Sequence, residues 1–160
     1  MMLKGIIDRI RRNHGLEHAT VALMLARQGP MRVVGRSDHG GFYIYARVDT
    51  DRLREYAEEA LVRLQRGEKH LAVSPMCGTN IAVAGVLAGV TSYVALRRAD
   101  GHVDGLTKAV LAGMVSVIAS QPLGRLVQQY ATTSPELTGV RITSVDRLSD
   151  RIHKVRTAAA

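Results

Sequence analysis

Residues 81–96 read IAVAGVLAGVTSYVAL, and no charged side chain occurs anywhere from Leu71 to Leu96. After Arg97-Arg98 and a polar turn, a second uncharged run extends from Ala109 to Gly124. Each run approaches the ~20 apolar residues that an α-helix needs to cross a hydrocarbon core, and the second carries Pro122. Gly85 and Gly89 form a Gly-x-x-x-Gly, while Ala112, Ser116 and Ser120 repeat a small residue every fourth position, a pattern that lets helices approach closely in lipid. The alternative is a helical hairpin buried in a soluble protein. A chain of 160 residues has little left with which to cover two such helices on all sides. The expectation is a two-helix transmembrane hairpin over 79–130.

Working outward toward the N-terminus, residues 2–28 have the period of an amphipathic helix. Leu3, Ile6, Ile7, Ile10, Val21, Met24 and Leu25 form its apolar stripe, and Gly29-Pro30 stops it. Met31–Gly35 and Gly41–Val48 read as two strands around a turn at Arg36–Gly40, with Phe42, Ile44 and Ala46 alternating against Tyr43, Tyr45 and Arg47. Asp49-Thr50-Asp51 caps a second helix to about Gln65, whose stripe is Leu53, Tyr56, Ala57, Ala60, Leu61 and Leu64, with Gly67 ending it. A short third strand is expected at His70–Val73.

On the C-terminal side, Val140, Ile142 and Ser144, then Ile152 and Val155 after a turn at Arg147–Asp150, read as a β-hairpin. Ala158–Ala160 is expected to fray. The fold class is therefore α+β: an antiparallel sheet covered by two amphipathic helices, with the membrane hairpin inserted. Its parts are a metal-binding domain over 1–78, the hairpin, and a C-terminal β-hairpin over 131–160. That last part should pair with 31–48 and 70–73, because about three strands give two helices too little support.

The net charge is +8 and the pI about 10.2, which invites a nucleic-acid partner. Against it, Lys and Arg are spread along the chain among acids, with no basic block and no alternation of bases with aromatics for stacking. Arg flanking apolar segments is also the mark of a cytoplasmic membrane face, so the expected partner is membrane lipid and not nucleic acid. The positive-inside tendency puts both termini in the cytoplasm and the Arg97–Lys108 loop outside. The single Cys77 excludes an intrachain disulfide, and the opening residues lack the apolar core of a secretory signal.

One cluster could carry chemistry. His14-Gly15-Leu16-Glu17-His18 lies within the first helix, where residues four apart stack on one face, so two imidazoles can meet one cation. In zinc hydrolases the Glu of an H-x-x-E-H helix takes a proton from bound water. The plainer alternative is two core histidines and a surface Glu. Against it stands the cost of burying such polarity without a partner. Cys77, after Pro75 and at a helix start that favours thiolate, is the best third ligand. His39, in a turn beside Asp38, could face the site. Glu58, Glu59, His70, His102 and His153 read as structural or solvated residues.

The order HGLEH (14–18), GRSDHGGFYIYARV (35–48), a helix, then PMCGTN (75–80) resembles the S-ribosylhomocysteine lyase family over roughly residues 10–80. The resemblance implies His14, His18 and Cys77 as ligands of a zinc or iron ion and Glu17 as acid/base. Where that family places a second cysteine before Gly-Phe-Tyr, this chain has Asp38 followed by His39. The family's N-terminal strands are missing here, and it has no membrane segments. The whole chain is also similar to a bacterial membrane family of unknown function that shares HxLEHA, CGTN and TTS signatures, which implies no activity. The expected function is a zinc-dependent hydrolase or lyase-like enzyme at the cytoplasmic membrane face. Glu17, Asp38 and His39 are its catalytic candidates, acting on a small molecule or peptide, and a homo-oligomer is allowed. The alternative is a metal-stabilised structural or interaction module without turnover.

Overall fold

The computed structural model describes residues 2–159. They fold in the order α1 (Met2–Gln28), β1 (Val34–Asp38), β2 (Gly41–Tyr45), α2 (Thr50–Gln65), a 3-10 turn (Lys69–Ala72), α3 (Gly78–Arg97), α4 (His102–Val127), a π-helical turn (Gln128–Thr132), β3 (Val140–Ser149) and β4 (Ile152–Ala159). The chain forms two compact units, one of Met1–Ser74 with Gln129–Ala160 and one of Pro75–Gln128.

The first unit is a mixed α+β fold on a four-stranded antiparallel sheet of order β1-β2-β4-β3. The expected C-terminal hairpin is present, and β4 pairs with β2, setting Phe42 opposite Val155 and Ile44 opposite His153. Phe42, Ile44, Val155, Leu16, Met24 and Leu53 are fully enclosed where α1 and α2 pack on the sheet. Removing each such side chain from water stabilises the unit by about 1.5–3 kcal/mol. The α2 stripe is buried as its spacing requires, and Asp49 caps the helix by accepting from the N–H groups of Asp51 and Arg52.

Several local expectations change. Residues 70–73 are not a strand: Lys69–Ala72 closes a 3-10 turn, so the sheet has no strand there. The turn instead presents the Ala72 carbonyl to His18 Nδ1 at 2.8 Å. Arg36–Asp38 continue β1, and the chain reverses at His39-Gly40. The β3–β4 turn lies at Asp150-Arg151. Ala158 and Ala159 pair with Arg141 and Val140 rather than fray, and Ala160 lies outside the described residues. In α1 the core side is Leu16, Ala19, Leu23 and Met24, whereas Leu3, Ile6 and Ile7 are exposed. A helix of 27 residues is about 40 Å long and outruns the sheet edge beneath it.

In the second unit α3 and α4 pack as a hairpin. Both are long and apolar enough to cross a membrane. Their outward side chains, Val86, Val90, Leu111, Val115 and Ile118 among them, are exposed. Their contact is made by small and hydroxylic residues. Ser92 Oγ donates to the Ala109 carbonyl at 2.8 Å, and the Thr91 and Ser116 hydroxyls meet at 2.7 Å. Gly124 leaves room for the Asn80 amide, whose oxygen accepts from Gln128 at 2.8 Å. Ser116 and Ser120 are buried as their spacing suggests. Gly85 and Gly89 face open space instead.

Candidate metal centre

The middle of α1 is where the polar cluster of the first unit gathers. His14 and His18, one turn apart, bring their ring centroids to 4.4 Å with the planes 61° apart. His14 Nδ1 lies 2.9 Å from the Thr132 carbonyl oxygen and His18 Nδ1 2.8 Å from that of Ala72. A carbonyl only accepts, so both Nδ1 atoms donate, and in the neutral ring this tautomer leaves the lone pair on Nε2. An imidazole held in this way is oriented for a metal, and the backbone carbonyl supplies the outer partner that metal-binding histidines regularly have.

Between them, Glu17 is 6% exposed and its Oε2 accepts from the Ser37 hydroxyl at 2.9 Å. Gly35 on β1 makes the slot, since a Cβ there would overlap the carboxylate. Gly15 has a matching reason: its Cβ would strike the Ser134 carbonyl and crowd Ala72. The motif glycine therefore lets residues 72 and 134 pass close over α1. Residues 132–134 are tied down further, because Ser134 N–H donates to the Arg11 carbonyl and the Arg11 guanidinium donates to the carbonyls of Tyr130 and Thr133.

Cys77 belongs to the other unit. It is buried at the N-cap of α3, and its sulfur accepts from the Thr79 N–H at 3.4 Å. His14 and His18 offer imidazole nitrogens from the first unit, and Cys77 offers a thiol from the second. Two imidazoles and one thiolate suit zinc or iron.

Asp38 and His39 stand at the β1–β2 turn. The Asp38 carboxylate is held by Lys154 Nζ at 2.7 Å and by the Gly40 N–H at 2.8 Å. Burial pushes its pKa up, but the Lys154 and Gly40 hydrogen bonds and the Lys154 charge outweigh this and leave it below its ordinary value. The Asp38 carbonyl accepts from Asn13, whose own side-chain oxygen accepts from Thr157. His39 is exposed and lines a small cleft with Arg9, Arg12 and Asn13. Asp38 is thus engaged by Lys154, Gly40 and Asn13.

Sequence reasoning missed Ser37, Gly35, Lys154 and the carbonyls of Ala72 and Thr132. The glycine at 35 and the TTS stretch were visible as residues, but their roles depend on contacts between distant segments.

A family model described as a domain of unknown function, DUF6391, matches residues 9–145. An uncharacterised protein of Picosynechococcus sp. (strain ATCC 27264 / PCC 7002 / PR-6) is 33% identical over 135 residues, 78% of this chain and 66% of that relative. The chain thus spans just under two thirds of the relative's length. No solved structure matches. The match runs from the turn before His14 through both apolar helices into β3, and on it the chain belongs to the DUF6391 family.

Proposed function

We propose that this chain is a membrane-anchored metalloprotein in which His14, His18 and Cys77 hold one zinc or iron ion and Glu17 acts as general base in hydrolase or lyase-like chemistry. The observation that carries the reading is the pair of imidazoles, each with Nδ1–H fixed on a backbone carbonyl, at 2.9 and 2.8 Å. Ser37 sets the direction of the Glu17 carboxylate. When bound, the metal would supply Lewis acidity toward water or a carbonyl. Glu17 would take the proton released there and hand it to a leaving group. The lyase resemblance supports the ligand set through the order of its motifs. Asp38, engaged with Lys154, and the exposed His39 receive no step of their own.

The outward apolar residues of α3 and α4 support a bilayer span. The excess of Lys and Arg outside the Arg97–Lys108 loop favours cytoplasmic termini. Lipid is then a partner through the hairpin, and the substrate would be a small molecule or peptide reaching the membrane face.

A second reading, a closed metal-stabilised module, draws on the burial of Glu17 and His18. Elemental analysis of protein purified without added metal tests the shared claim: about one equivalent of zinc or iron is expected, and none after His14→Ala or His18→Ala. Metal-free wild-type protein that gains no stability from added zinc would end both readings. X-ray absorption then separates them, since a site with a water-derived oxygen favours the enzyme and four protein ligands favour the module.

A further inference from the structure

The first turns of α1 carry an apolar stripe that the described residues leave bare. Leu3, Ile6 and Ile7 are 71%, 43% and 47% exposed, and Ile10 is half-buried. At about 100° per residue these four fall within an arc of about 100°, with Lys4 and Arg9 each about 60° beyond one of its edges. An apolar arc bordered by cations on both sides is the pattern of a helix lying in the plane of a lipid–water interface.

Two observations say what covers it. His14 continues the same arc one turn beyond Ile10, and its ring is bonded to the Thr132 carbonyl. Arg11 is bonded to Tyr130, Thr133 and Ser134. Those residues begin three positions after Val127, where α4 ends. In chain order, then, the residues bonded to this side of α1 follow within a few positions of a helix long enough to span a bilayer. Charge agrees: residues 3–12 hold Lys4, Arg9, Arg11 and Arg12 against a single acid, Asp8, which suits anionic headgroups.

We infer that residues 3–12 form a surface-lying membrane helix, with Leu3, Ile6, Ile7 and Ile10 in the acyl boundary and Lys4 and Arg9 at anionic headgroups. This rests on the membrane reading of the hairpin and not on the metal.

The test uses the full chain in nanodiscs of phosphatidylcholine, with and without phosphatidylserine. Single spin labels are placed at 3, 7 and 10, at 5 and 12, and at 86 and 118 on the hairpin, all in a Cys77→Ser background. Relaxation by oxygen is compared with relaxation by an aqueous nickel chelate. The expected result is an oxygen-to-nickel ratio at 3, 7 and 10 several-fold above that at 5 and 12, and larger still with phosphatidylserine. If 86 and 118 are lipid-exposed but 3, 7 and 10 match 12 in both lipids, the surface helix is overturned and the hairpin reading survives. Aqueous behaviour at 86 and 118 as well overturns both. A photo-crosslinking residue at Ile7, with Cys77 intact, should yield a lipid adduct, and an adduct with a second copy of the chain would overturn the inference.

Discussion

The Glu17 carboxylate on α1 accepts a hydrogen bond from the Ser37 hydroxyl on β1 at 2.9 Å, directly above the bare Cα of Gly35. A carboxylate that is 6% exposed is tolerable only with such a partner, because an unpaired buried charge is strongly unfavourable.

Ser37→Ala removes a hydrogen bond to a charged group and is expected to cost about 1.5–3 kcal/mol. Gly35→Ala drives a methyl group into the carboxylate, a strain of about 1–3 kcal/mol. Gly40→Ala is the control, since its Cβ meets only Asp38 Oδ1 at 3.6 Å and should change little. Melting temperatures of the three variants check this. Equal values for Gly35→Ala and Gly40→Ala would refute the slot.

Lys154 is 4% exposed in its side chain and lies 3.9 Å from the Tyr43 ring centroid as well as on Asp38. Asp38→Asn leaves that cation buried without its counter-charge and should cost about 3 kcal/mol, whereas Lys154→Met removes the charge and should cost less. The Asp38 pKa is lowered in the fold. Its contribution is therefore complete above the unfolded value of about 3.9 and is lost as pH falls below it, through the folded value. Acid denaturation of wild type and Asp38→Asn should show the wild type losing more stability over that range.

His153 on β4 is wholly buried opposite Ile44, and neither ring nitrogen has a hydrogen-bond partner among the described residues. Burial first, and the Arg147 charge second, push its pKa below the ordinary value, with Asp49 opposing. The unfolded chain then takes the proton first. Stability from this residue is intact above about pH 6.5 and falls as pH drops from there toward the folded value. His153→Leu is expected to raise the melting temperature and to flatten its decline as pH falls below about 6.5. A slope unchanged by the substitution would contradict this.

Truncation after Thr133 removes β3 and β4, half of the sheet, and with them the Leu137 and Val140 carbonyls that accept from Gln65. The first unit should then lose its cooperative unfolding transition together with any bound metal. Val155→Ala is the milder form, costing about 2 kcal/mol from two methyl groups and the cavity left against Phe42. A truncated chain that melts like the parent would refute the sheet order.

Where periodicity spans many residues, reading and structure agree. The six-residue stripe of α2 is the buried set, and Phe42, Ile44 and Val155 face the core. Short or marginal signals failed. His70–Val73 has strand composition, but a four-residue segment takes the shape its neighbours need, here a 3-10 turn presenting the Ala72 carbonyl to His18. The α1 period marks one continuous face. Only its later turns meet the sheet, because local period says nothing of how far a helix outruns its support.

The sequence by itself determined the two apolar helices, the two β-hairpins and the identity of the donor residues. These follow from side-chain polarity and spacing, which are local quantities. Only the tertiary structure decided the order β1-β2-β4-β3 in the sheet that the C-terminal hairpin joins, that Ser37 and Gly35 hold Glu17, and that the Thr132 and Ala72 carbonyls orient the two imidazoles. Each of those pairs lies tens of residues apart or joins two elements. Such a contact forms only when packing of the whole unit offsets the entropy of closing the chain between its members, and no local pattern records it.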